Sequence, residues 1–174
     1  MKLFPTKGLK PISLLGGILG ALLAWYCGLV FFIPATFILI IAYVSYKNRP
    51  AIDENIHAVS GIHAGHALWT LIGMIMAARF PQLNIIDASV LMVSVFFLRW
   101  KPGLPLFILL AGYQIIALKM TGNIMQEMEF GSGIHRAHIL HLALRVISLF
   151  ILFKIIIRTL IAKRMATSHP QAEH

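Results

Sequence analysis

Histidine, aspartate and arginine set in an apolar chain are the residues that could do chemistry here. Six of the eight histidines fall in two clusters, His57, His63 and His66, then His135, His138 and His141. His63 and His66 are spaced i, i+3, about 60° apart on one helix face. His138 and His141 repeat that spacing, with Arg145 one turn beyond and Ser148 continuing the stripe. Ionisable groups inside a membrane span are costly and face the bundle interior or a water-filled cavity. Both stripes are therefore expected to face inward.

Neutral imidazole binds transition metals and haem iron, and it titrates near neutrality. His63, His66, His138 and His141 are thus candidate ligands for haem b or a metal ion. The spacing is not specific, since neither H-E-x-x-H nor C-x-x-C-H is present. Arg145 is the deepest charge, and Asp87 is the carboxylate expected at a similar depth. An Asp87–Arg145 pair follows, relayed by Gln114. Asp87, Gln114, His138, His141 and Arg145 form the expected polar cluster. It reads first as a hydrogen-bonded plug fixing helix order, then as a proton or solute path, then as a metal or haem site, and last as a catalytic centre. His57 reads as an interfacial residue, and His169 and His174 lie in a polar tail.

The elements that position these residues must be membrane helices. The 174 residues are 59% hydrophobic and 12% charged, whereas soluble domains are roughly 45–50% apolar and about 25% charged. Mean hydropathy is +0.83. A soluble domain of this size could not hide so much apolar surface. Disorder, collagen and disulfide-rich modules are excluded too. The net charge is +9, but no basic run is interleaved with aromatics, so nucleic acid is not expected as a partner. Cys27 has no second cysteine to pair with and reads as a packed thiol. The scattered methionines read as core filling.

Residues 11–46 contain no charged side chain or histidine. That run is long enough for two short spans, breaking near Trp25, Tyr26, Cys27 and Gly28. The first is expected to be retained, since no small-residue cleavage site closes it. The fold class expected is an all-α polytopic bundle of about six transmembrane helices. Spans fall near 12–26, 29–46, 57–78, 85–98, 104–118 and 137–161. A basic segment, 1–10, precedes the bundle of 11–162, and a short polar tail, 163–174, follows it. Eleven of the 15 Lys and Arg then lie on one side, with only Arg79, Lys119 and Arg136 opposite and Arg145 within a span. Both termini are accordingly expected to be cytoplasmic, in a bacterial inner membrane. Short loops make sequential helices expected neighbours.

Depth separates the two histidine clusters on this threading. At 1.5 Å per residue His66 lies about 13 Å from the inner boundary and His141 about 5–9 Å from the outer one. In a hydrocarbon core of about 30 Å, roughly 8–12 Å would still divide them. Two separate sites, one in each leaflet, are therefore expected.

Gly16 and Gly20 in the first span, and Gly61 and Gly65 in the third, allow close helix approach. Packing within the chain is preferred to a homodimer seam. No phosphate-binding or hydrolase motif is present, and the loops are too short for a soluble active domain. The expectation is a small non-enzymatic accessory or assembly subunit, or a channel-like module, with the bilayer and other membrane subunits or a second copy as partners. No cofactor is expected on that reading. The alternatives are a haem- or metal-binding electron-transfer anchor and a proton-coupled transporter.

Overall fold

The computed structural model describes residues 22, 25–26, 28, 32–48, 52–76, 78 and 81–168. Gly16, Gly20 and almost all of the expected first span fall outside them. Among the described residues there are five helices and no strand: α1 (Phe32–Asn48), α2 (Glu54–Met76), α3 (Gln82–Trp100), α4 (Leu104–Gln126) and α5 (Gly133–Ser168). α2 to α5 are long and apolar enough to cross a membrane, and α1 is apolar but shorter.

Local chemistry sets the helix starts. Asp53 caps α2, its Oδ1 accepting from the Asn55 backbone N–H at 2.7 Å, and Glu54 places a carboxylate in the first turn. Ser132 caps α5, its Oγ accepting from the His135 N–H at 3.2 Å. The preceding Gly131 has φ +79°, a left-handed conformation that favours glycine. α4 begins after an extended Gly103, with Pro105 in its first turn. The helices run beyond their apolar stretches, at the start where Asp53 and Ser132 cap them and at the ends of α4 and α5 as well. α2 starts at 54 rather than 57, α5 spans 133–168 rather than 137–161, and α4 continues through Lys119 to Gln126 rather than stopping at 118. At 1.5 Å per residue the 36 residues of α5 rise about 54 Å.

α2 is the hub. Its membrane window is 67% buried, against 22% for α3 and for α4 and 33% for α5. It packs on α1, α3 and α5, while α4 rests on α5. Gly61 and Gly65 face α1. A Cβ at Gly61 would stand 2.9 Å from both the Ala42 Cβ and the Ile38 carbonyl, and one at Gly65 would overlap the Ile38 side chain. Only glycine lets these two backbones meet so closely.

Ile56 and Val59 of α2, Leu98 of α3, Phe107 and Leu110 of α4, and Leu152 and Ile155 of α5 form one buried cluster. One end of the bundle thus holds the start of α2, the end of α3, the start of α4 and the far part of α5. The end of α1 joins them, because Ser45 Oγ and His57 Nδ1 share a hydrogen bond of 2.8 Å.

The expectation that sequential helices are neighbours holds only loosely between α3 and α4. Three residues join them, and Leu98 shares a buried cluster with Phe107 and Leu110 while Tyr113 reaches Asp87, but their backbones come close at few points. α3 leans on α2 through Ala67, Ala88 and Leu91 instead.

Candidate functional site

Among the described residues, polar side chains are gathered inside the bundle beside its apolar core, while many large apolar side chains face outward. His63, His66, Thr70, Ser94, Gln114, Arg145 and Ser148 are buried, while Leu39, Ile86, Phe96, Ile116 and Phe150 are exposed. Lipid is the solvent that permits this inversion, since it rewards apolar surface and cannot satisfy polar groups.

The buried polar groups form an ordered chain across four helices. Ser94 Oγ–H donates to the Leu91 carbonyl at 2.7 Å. With its only proton used, Ser94 accepts from His63 Nδ1–H at 2.6 Å. His63 Nε2 then accepts from Ser148 Oγ–H at 2.7 Å and from the Gln114 side-chain amide at 3.1 Å. The donor arithmetic makes His63 a neutral imidazole with its proton on Nδ1. Gln114 Oε1 accepts from Arg145 Nη1 at 3.2 Å. Arg145 Nη2 donates to Asp87 Oδ2 at 2.7 Å, their side chains 6% and 16% exposed. The Tyr113 hydroxyl donates to Asp87 Oδ1.

Asp87 and Arg145 therefore meet directly, on α3 and α5. Gln114 is not a relay between them, as the sequence had suggested. It sits beyond Arg145 and carries the contact on to His63. Tyr113 and Ser94 were not singled out in the sequence. Ser94 lies seven residues, two turns, after Asp87, which places both on one face of α3. Tyr113 flanks the buried α4 stripe of Leu110, Gln114 and Ala117.

The expected separation of the two histidine clusters by roughly 8–12 Å does not hold for His66 and His141. His66 Nε2 and His141 Nδ1 share a hydrogen bond of 2.5 Å. The capped helix starts account for this. His66 is twelve residues into α2, about 18 Å, and His141 eight residues into α5, about 12 Å. On antiparallel helices the two rises add, so starts set three and four residues earlier than the apolar runs bring the rings about 10 Å closer along the bundle axis. His138 stands aside from the bonded chain. Its Nδ1–H donates to the Ile134 carbonyl at 2.9 Å, and its ring centroid is 6.0 Å from that of His141.

A cavity of about 90 Å³ touches Thr70, Asp87, His138, His141 and Arg145. Arg145 Nε and Ser60 Oγ are buried without an acceptor or donor partner among the described residues. His63, His66, His138 and His141 do not converge on one point. His63 is held by three side chains. The His66 and His141 nitrogens are closer than two ligands of one metal stand, since each bond is about 2 Å long. Among the described residues no group of three or more His, Cys, Asp or Glu is arranged to hold a metal ion.

At the Glu54 end, Asp53 is the titratable group with a shifted pKa outside the spans. Partial burial pushes its carboxyl up. The two hydrogen bonds from Asn55 and the nearby Arg158 and Lys154 outweigh this and hold it below its usual value.

No protein-family model, curated protein or solved structure matches this chain.

Proposed function

We propose that the chain is a small non-enzymatic subunit of a bacterial inner membrane, crossing it about six times with both termini cytoplasmic. Its polar interior locks helix order so that the outer faces can serve assembly or a channel-like role. The orientation rests on the positive-inside rule. Lys47, Arg99 and Lys101 belong to the end of the bundle that holds Asp53, and Lys154 and Arg158 lie close to Asp53 itself.

One observation carries the plug reading. Gln114 and Arg145 stand between the titratable groups Asp87 and His63. Arginine does not release its proton in proteins, and an amide is no proton carrier. The chain of bonds from Asp87 to His63 therefore holds four helices together and does not conduct protons.

Proton-coupled transport is the second reading. It draws on the cavity beside Asp87, His138 and His141. One pair of measurements separates the two. Protein extracted gently from its native membrane should migrate with a larger assembly, well above its own 19.4 kDa, and proteoliposomes should show no Asp87-dependent proton flux. A lone chain together with a flux abolished by Asp87→Asn would replace the subunit reading by transport. A Soret band lost in His63→Ala would replace it by the haem reading.

A further inference from the structure

The two ends of the bundle interior are closed differently. Toward the Glu54 end, Val59, Leu98, Phe107, Leu110 and Leu152 meet, each 4% exposed or less. Toward the other end lies the cavity of about 90 Å³ beside Asp87. All of α2, α3, α4 and α5 contribute to its wall. It reaches the surface beside Asn84, which is exposed, and Ile124, which is 41% exposed.

The wall is rich in acceptors. Thr70 and Thr121 direct their hydroxyl protons to the His66 and Ala117 carbonyls, at 3.0 and 2.8 Å, and so keep only lone pairs. His138 donates through Nδ1–H to the Ile134 carbonyl, which leaves Nε2 of the neutral ring as an acceptor. Asp87 accepts from Tyr113 and Arg145, while a carboxylate has about four acceptor positions. Arg145 has already given N–H groups to Gln114 and Asp87. The Asp87–Arg145 pair is neutral as a unit, so it offers no net charge to hold an ion. A small uncharged molecule with two donors suits such a wall, and water is that molecule. Buried water needs a polar site with about two to four partners, and at roughly 30 Å³ apiece about three waters fit.

Beyond Arg145 the polar groups engage one another. Gln114, His63, Ser94 and Ser148 are bonded together and are at most 3% exposed. The apolar cluster follows them. We propose that the cavity is a half-channel, which water enters from the end away from Glu54 and in which it stops at Arg145 and Gln114. On the proposed topology that end faces the outside, so outer solvent touches Asp87 and His141, and solvent from neither side reaches His63. The inference rests on the plug reading only in placing the floor of the half-channel at Gln114.

Water-edited solid-state NMR of the isotope-labelled full chain in lipid bilayers tests this. At short mixing times, transfer from water to Thr70 and Thr121 should be several-fold faster than to Ser94 and Ser148, which are also buried but lie outside the cavity. Thr121→Leu fills part of the space and removes an acceptor, so it should slow transfer to Thr70 and His141. Equally slow transfer at all four hydroxyl residues would overturn the half-channel and leave the plug intact. Equally fast transfer at all four would overturn both, since water would then pass Gln114. Unchanged transfer in Thr121→Leu would place the water elsewhere and overturn the half-channel too. The comparison of the four residues is made within the unaltered protein, so a misfolded variant does not decide it.

Discussion

The rings of His66 and His141 stand 4.6 Å apart, joined nitrogen to nitrogen across α2 and α5. In this pair one imidazole donates and the other accepts. His66 is buried and His141 half-buried.

Removing one ring should leave its partner unsatisfied. His141→Ala is expected to cost roughly 1–3 kcal/mol, the usual cost of orphaning a buried polar group. His141→Gln, which can still donate or accept, should recover part of that. Thermal unfolding in detergent reads both. Equal loss in the two variants would show that the contact is steric.

The Asp87–Arg145 pair should behave as a unit. Asp87→Ala is expected to cost roughly 3–5 kcal/mol because it strands a buried guanidinium. The double variant Asp87→Leu, Arg145→Met should be less destabilised than either single variant. A double-mutant cycle in bicelles measures the coupling, and additive losses would deny it.

Gly61 and Gly65 seat α1 on α2 through Ala42 and Ile38. Gly65→Val is expected to lift α1 off α2 and cost roughly 1–3 kcal/mol by overpacking, read as a lower unfolding temperature in detergent with oligomer mass unchanged. If these glycines formed a seam between copies, the same change would alter oligomer mass instead.

Asp53 gives the protein an acid limb at the cytoplasmic end of the proposed topology. Its folded pKa lies below the usual value of 3.8. The associated stability is therefore fully present above that value and is lost as pH falls through the lower folded one. Asp53→Asn, which keeps a capping side chain, should flatten the pH dependence of unfolding below about pH 4 while changing stability near neutrality by less than about 1 kcal/mol. An unchanged acid limb would assign that dependence to other groups.

Topology can be read chemically. A cysteine at Ser132, in the turn before α5, should react with an impermeant maleimide added outside intact cells, in a Cys27→Ser background. Reaction only after permeabilisation would invert the orientation.

The partnership of Asp87 with Arg145 was legible because charges inside spans are scarce and must pair. The membrane class was legible from composition alone. The height of the histidines was not. Hydropathy marks where a helix becomes apolar, while Asp53 and Ser132 decide where its hydrogen bonds begin. Errors of three or four residues at each end added up, and they placed His66 and His141 apart when they touch. The splay of α3 from α4 was also hidden. A three-residue loop limits the distance between helix ends, and only the small residues Ala67 and Ala88 on a neighbouring pair reveal where α3 leans.

The central position of α2 bears on how the chain is made. His66 is synthesised 75 residues before the histidine it bonds. At 5–20 residues per second that interval is roughly 4–15 s. For its duration the polar stripe of α2 faces lipid or the insertion machinery, held only by α1 and later by Ser94. The last helix to emerge completes the interior, so biogenesis of this protein has a defined vulnerable interval that ends with α5.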